Sequence, residues 1–185
     1  MSSVILFLAE GFEEIEAITV VDVLRRADIK CDICGLNSIT VKGSHGIEVN
    51  CDKILGNIVD SEYDAVVLPG GMPGAKNLRE NSKVVDLVSS FYKQGKIVAA
   101  ICAAPMVLDR AGIIKGKTIT SYPGLELGEC NYIEQIVAED GNIITSRGPA
   151  TTIYFAMKIA EKLEGIQKVD ELKSEMMLTF LENNI

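Results

Sequence analysis

The sequence predicts an α/β fold with a mostly parallel sheet and helices on both faces, and three observations carry that reading. Short apolar runs at residues 3–9, 64–68 and 96–101 lack polar alternation, as expected of strands covered on both sides. Segments of helical period lie between such runs. No long linker, repeat or low-complexity stretch interrupts the alternation over 185 residues, a length that fits one domain, 1–185, with a sizeable core.

Taken in order, residues 3–9 open the chain as a strand. Residues 14–27 follow with Ile15, Ile18, Val21, Val23 and Leu24 near helical spacing, and Asp28 marks their end. Residues 30–36 form a second strand. Residues 40–42 and 47–49 flank Gly43-Ser44-His45-Gly46 and predict a hairpin. Residues 64–68 are another strand, stopped by Pro69-Gly70-Gly71. Val84, Val85, Leu87, Val88 and Phe91 predict a helix ending near Gly95. Residues 96–101 are a strand with Cys102 just past it. Residues 103–111 read as helical, because Pro105 is tolerated in a first turn. Strands at 117–121, 136–139 and 143–145 come next, then a helix from about 150 to 163. A last amphipathic helix, about 169–182, is expected to pack on the core.

Composition narrows the function classes. Hydrophobic residues make up 48% and charged residues 24%, as in a globular chain. The formal net charge is −8 with no basic run, which argues against nucleic acid as a partner. The apolar run 4–9 is too short for a signal h-region, lacks a basic lead-in and meets Glu10 and Glu13. No stretch approaches the roughly 20 apolar residues of a membrane helix. A cytoplasmic location without membrane association is therefore expected. The five cysteines show no disulfide-scaffold spacing and are expected to be reduced. Cys31 and Cys34 match a Cys-x-x-Cys pattern, but on a strand residues three apart point to opposite faces. With one histidine and no close ligand pair, no metal is expected, and no cofactor either.

In an open parallel sheet, functional groups gather where strands end and helices begin. Cys102 has that address, flanked by Ala100, Ile101, Ala103 and Ala104. Small residues two positions to either side suit a nucleophile elbow, and a helix N-terminus would lower the thiol pKa. A small buried cysteine ending a strand has the same pattern. Gly70 and Gly71 can present unobstructed N–H groups which, with that of Ala103, would form an oxyanion hole; a plain tight turn reads identically. In the loop Glu10-Gly11-Phe12-Glu13-Glu14-Ile15-Glu16, Glu13 and Glu14 suit a helix first turn, whereas Glu16 lies between apolar neighbours and can point inward. A carboxyl near a thiol would have a raised pKa and donate a hydrogen bond to sulfur. Arg147, before Gly148-Pro149, is expected to clamp a loop or hold an anion.

The motifs Glu13-Glu14-Ile15-Glu16, Val21-Asp22-Val23-Leu24-Arg25-Arg26, Val67-Leu68-Pro69-Gly70-Gly71, Ala99-Ala100-Ile101-Cys102-Ala103 and Thr145-Ser146-Arg147-Gly148-Pro149 occur in that order. Together they resemble the DJ-one/ThiJ/PfpI superfamily, especially the branch holding the parkinsonism-associated deglycase and its bacterial relatives. The resemblance runs from the first strand to Leu163. It implies a flavodoxin-like three-layer sandwich, similar to class I glutamine amidotransferases, and a homodimer. It further implies Cys102 as the reactive cysteine, Glu16 as its protonated partner, and Gly71 and Ala103 as backbone donors. The peptidase branch carries a histidine directly after the nucleophile, where this chain has Ala103. The deglycase branch carries one before a proline, where this chain has Tyr122 before Pro123. His45, the only histidine, falls in the hairpin, where the resemblance places it near a dimer interface.

Three functions remain open. The first is a glyoxalase III or deglycase-like enzyme acting on methylglyoxal, a small aldehyde, or on glycated adducts. The second is a redox sensor or chaperone-like protein using oxidation of Cys102. The third is a peptidase or amidase, weakened by Ala103. Residues 14–27 carry apolar residues on more than one helical face, which either a symmetric partner or the C-terminal helix at about 169–182 would cover; with a partner, Arg25 and Arg26 could pair across the boundary.

Overall fold

The computed structural model describes residues 1–185, the side chain of Asn57 excepted. The strands are β1 (Ser3–Leu8), β2 (Lys30–Gly35), β3 (Thr40–Lys42), β4 (Glu48–Asn50), β5 (Lys53–Ile54), β6 (Ala65–Leu68), β7 (Ile97–Ile101), β8 (Thr118–Ile119), β9 (Asn131–Tyr132), β10 (Val137–Asp140) and β11 (Ile143–Ser146). The helices are α1 (Glu14–Arg26), α2 (Gly74–Glu80), α3 (Ser82–Lys93), α4 (Pro105–Arg110), α5 (Thr152–Glu164), α6 (Ile166–Glu175) and α7 (Leu178–Glu182). Seven strands form the main sheet in the order β10-β11-β7-β6-β1-β2-β5, parallel except for the β10–β11 pair. β3 and β4 make the expected hairpin outside it.

The apolar runs work because consecutive residues of a strand serve opposite layers. Val4, Leu6, Val67, Ala99 and Ile101 pack with residues of α1, α5 and α6. Ile5, Phe7, Val66, Leu68, Val98 and Ala100 pack with residues of α2, α3 and α4. Cys31 and Cys34 likewise fall in opposite layers, as the strand period requires. The order β7-β6-β1 makes three neighbours of the strands whose C-terminal ends lead to Cys102, Gly70-Gly71 and the Glu10–Glu16 loop.

Several elements differ from expectation, among them the two-residue strands β5 and β9, too short to show an alternation. α2 has only Ala75 and Leu78 as buried apolar side chains, too few to show a period, and Asn81 then caps α3 by accepting from Lys83 N at 3.1 Å and Val84 N at 3.2 Å. The strand expected at 117–121 shrinks to β8, which pairs with β9 instead of joining the main sheet. Residues 102–104 form a turn, so α4 begins only at Pro105. The helix expected at 169–182 is two helices: Met177 adopts φ 60° between α6 and α7, and the turn sends Leu178 into the core.

α1 buries Val20, Val21, Val23 and Leu24 within the chain, and Val169 and Leu172 of α6 join the same cluster. Ile15 and Ile18 stay exposed, at 55% and 42%. Shortening a side chain as enclosed as Leu172 leaves a void as well as losing transfer energy. Leu172→Ala is expected to cost about 2–5 kcal/mol, read as a lower urea midpoint at unchanged slope. A shift within error would mean that α6 does not stabilise the α1–α5 layer.

Candidate active site

The elbow is built by backbone contacts. Cys102 adopts φ 62°, a left-handed conformation that residues other than glycine seldom enter. Two bonds hold it there: Cys102 N donates to Ser146 O at 3.0 Å, and Tyr122 N donates to Cys102 O at 2.9 Å. Ala100, Ala103 and Ala104 are all buried around the turn, and Cys102 itself is half-buried. The small-residue pattern thus has its physical cause in a crowded turn.

Glu16, in the first turn of α1, is completely buried. Its Oε2 accepts from Gly70 N at 2.7 Å, and its Oε1 is buried with no hydrogen-bond partner by distance and angle. Burial raises the carboxyl to about 7; the Gly70 amide and the Cys102 thiol pull the other way, and the charge of Glu13 adds to the rise. The thiol does not behave as its strand-end address suggested. Burial, then the field of Glu16, pushes Cys102 up to about 12, against the Ala103 and Gly71 amides that pull it down. The helix that was expected to lower it is only six residues long and starts at Pro105. What the sequence missed is how deeply the pair is enclosed. Each group, when charged, raises the pKa of the other, so one proton moves between two coupled sites.

Gly70 closes the site sterically. A Cβ there would lie 2.7 Å from Cys102 Cβ, 2.8 Å from Glu16 Oε2 and 3.0 Å from Ala103 N. Behind it, Glu13 N donates to Gly70 O at 3.0 Å and Gly74 N to Gly11 O at 3.2 Å, so the Gly11–Glu13 loop and the loop after β6 are sewn together. Gly71 takes φ 83° and faces the backbone of Phe12 and Glu13, where no side chain fits. The hairpin braces this assembly in turn: Gly11 N donates to Lys42 O and Ser44 N to Phe12 O, each at 2.8 Å.

The structure therefore brings together Cys102, Glu16, Gly70, Gly71 and Ala103. Tyr122 contributes its backbone N–H, while the residue as a whole is 54% exposed. Arg147 points to Glu134, 3.7 Å away, as a loop clamp would. His45 makes its contacts with Glu14, Glu13 and Ser44. This corrects the expectation of no close ligand pair: Glu13, Glu14 and His45 place ligand-type atoms within 4.8 Å of one another. Glu14 is saturated by its own hydrogen bonds, however, and the cluster is an ion-pair clasp. Sequence reading missed Glu14, whose partners lie 30 to 33 residues away, and Ser146, whose carbonyl anchors Cys102. The other thiols, Cys31, Cys34, Cys51 and Cys130, are all pushed upward by burial. No described helix is long and apolar enough to cross a membrane.

Comparison with known proteins agrees with this layout. A family model described as the DJ-1/PfpI family matches residues 2–162. Protein dj-1beta of Drosophila melanogaster is 43% identical over 183 residues, spanning 96% of this chain and 98% of the relative. A Caenorhabditis elegans protein named glutathione-independent glyoxalase DJR-1.2 is 33% identical over 180 residues, 96% of each. The crystal structure of Drosophila melanogaster DJ-1beta matches with a TM-score of 0.92 at 44% identity, covering 96% of this chain and 98% of that one. A structure described as Toxoplasma gondii DJ-1, oxidized, matches with a TM-score of 0.86 at 32% identity, covering 96% and 98%.

The raised pKa of Glu16 has a signed consequence for stability. From 4.5 in the unfolded chain to about 7 in the folded one, the folded state keeps a proton that the unfolded state has lost. Stability therefore falls as pH rises through that window. Glu16→Gln keeps an acceptor for Gly70 N but has no such proton. Its stability relative to the wild type should improve by about 3 kcal/mol between about pH 4 and pH 8 in urea unfolding. An unchanged difference at the two pH values would mean that the carboxyl ionises normally.

Proposed function

Because the chain belongs to the DJ-1/PfpI family, we propose that it is a cysteine-dependent hydrolase of the glyoxalase or deglycase type, acting on methylglyoxal or glycated adducts. The observation that carries this reading is the buried Glu16–Cys102 pair, whose carboxyl is raised to about 7 beside a half-buried sulfur. In the first step, sulfur adds to the aldehyde carbon while the thiol proton passes to Glu16 and then to the new oxyanion, giving a hemithioacetal. The Gly71 and Ala103 amides are the donors available to developing negative charge. Glu16 then takes the proton from the hemithioacetal carbon and returns it to the adjacent ketone carbon, while the hemithioacetal hydroxyl proton passes to the ketone oxygen, turning the hemithioacetal into its isomer, a thioester of lactate. Water cleaves that thioester, releasing lactate and restoring the thiol; no outside oxidant or reductant enters. A carboxyl poised near neutrality can both take and return a proton, as this sequence requires.

The site's charge supports a neutral substrate. Glu16 feels the negative field of Glu13, which disfavours an anion beside the pair. A peptidase reading is weaker, because Ala103 follows the cysteine and the single histidine is engaged at Glu14. The sensing reading keeps one argument: the amides that pull the Cys102 pKa down would also hold an oxidised sulfur, formed when a peroxide delivers oxygen to the thiol and leaves as water.

Under reducing conditions, wild-type protein should convert methylglyoxal to lactate and Cys102→Ala should fall to the uncatalysed background. Glu16→Gln should lose about a hundredfold or more. Equal lactate formation by wild type and Cys102→Ala would remove the enzyme reading and leave the sensor.

A homodimer belongs to the same proposal. Ile47 N donates to Glu14 Oε1 at 3.4 Å, which places exposed Ile47 at the same end of α1 as exposed Ile15 and Ile18. A second copy would cover these side chains. Arg25 and Arg26 pair within the chain, with Asp52 at 2.8 Å and Asp22 at 2.7 Å. Light scattering at micromolar concentration should give twice the 20.0 kDa chain mass, and Ile18→Glu should reduce it to one. A single-chain mass for the wild type would sink the dimer.

A further inference from the structure

Glu14 is a nearly buried carboxylate that the proposed chemistry does not use. Four donors converge on it from the hairpin loop: His45 N at 2.7 Å, His45 Nδ1 at 2.9 Å, Ser44 Oγ at 3.2 Å and Ile47 N at 3.4 Å. Gly43 leaves the space that Glu14 occupies, for a Cβ there would collide with the carboxylate. The loop between β3 and β4 is thus wrapped around a single side chain two residues before Glu16.

From there the contacts lead inward without a gap. The hairpin holds the Gly11–Glu13 loop through Ser44 N on Phe12 O and Gly11 N on Lys42 O. That loop holds the Gly70 carbonyl through Glu13 N, and Gly70 N holds Glu16. We propose that Glu14 and His45 are positioning residues: together they form a clasp that keeps the hairpin seated and, through it, keeps the Gly70–Gly71 amides on Glu16 and the Cys102 sulfur. The proposal rests on reading Cys102 and Glu16 as the reactive pair, whatever that pair turns over.

The clasp has a pH sense. Burial alone would raise Glu14, but the bonds from His45, its backbone and Ile47 more than offset this and hold it at about 2. His45 is raised by its bond to Glu14 and by the charges of Glu13 and Glu14. The other charged groups nearby are Glu10, whose Oε2 accepts from Lys42 N at 3.4 Å, Lys42 itself, and Glu48, its register partner across the hairpin. A raised histidine contributes fully below its ordinary value near 6.5 and loses that contribution as pH climbs through the raised value. The carboxylate stays charged throughout that range. The clasp should therefore slacken on the alkaline side.

The experiment compares wild type, His45→Arg and His45→Gln, all altered at an exposed position. It follows native-state hydrogen exchange at Glu13 and Gly70, corrected for intrinsic pH dependence, and iodoacetamide labelling of Cys102. Glu16 titrates within this interval in all three proteins, so each is read relative to His45→Arg. Wild-type protection at Glu13 and Gly70 should match His45→Arg at about pH 6 and fall about threefold below it by pH 9, while His45→Gln should lie below it at both pH values. The iodoacetamide rate of Cys102 relative to His45→Arg should shift over the same interval. Protection at Glu13 and Gly70 that is alike in all three proteins at both pH values would overturn the proposal, even if Ser44 responds. None of these readouts depends on lactate formation, so a failed enzyme reading and a failed clasp remain distinguishable.

Discussion

Two acids buried side by side with room for one negative charge form the constraint on which the rest of this structure depends. A carboxyl and a thiol taken out of water both resist ionisation, and each resists more when the other is charged. Burial and the charge of Glu13 account for Glu16 near 7, and burial and the charge of Glu16 account for Cys102 near 12. Backbone amides oppose them, from Gly70 on the carboxylate and from Gly71 and Ala103 on the sulfur, and the Cys102 thiol also pulls Glu16 down. Those amides are useful only if they are held in place, and much of the local architecture serves that purpose.

The sheet order supplies the placement. Because β1, β6 and β7 are consecutive, three loops emerge side by side at one end, each carrying one component: carboxyl, amides and thiol. Loops at strand ends are usually the mobile part of such a fold. Here they are packed backbone against backbone, at glycines where a Cβ would strike the neighbouring loop or the site itself. The absence of side chains at Gly70 and Gly71 is therefore a steric requirement of three loops sharing one place, in addition to any role in presenting N–H groups.

The features legible in the sequence were those with a short-range cause. Unbroken apolar runs revealed the central strands, the alanines around Cys102 revealed the elbow, and the apolar neighbours of Glu16 revealed its inward aim. The misreadings have long-range causes. Glu13 and Glu14 are identical in type and adjacent, yet only Glu14 is saturated by a loop some 31 residues on. The lowered thiol pKa expected from a helix start failed because enclosure by other loops, invisible in spacing, outweighs a short helix that begins three residues late. α2 escaped notice because two buried residues cannot display a period, and the break at Met177 lies in a continuous amphipathic pattern.

The departures from the family pattern, at Ala103 and Tyr122, gain meaning from the same physics. Histidine is the usual proton carrier at neutral pH because its ordinary pKa lies there. An aqueous carboxyl, near 4.5, would be too weak a base and almost never protonated. Enclosing Glu16 moves it to about 7, into the range an imidazole would occupy. For the proposed chemistry, burial would therefore supply a neutral-pH proton carrier without a histidine beside the thiol. It also commits the protein to keeping water away from Glu16, since an opening that hydrated Oε1 would return the carboxyl toward its ordinary value. In the proposed mechanism the tight seating of the surrounding loops is thus part of the acid–base chemistry, because the raised pKa of Glu16 lasts only as long as the enclosure does.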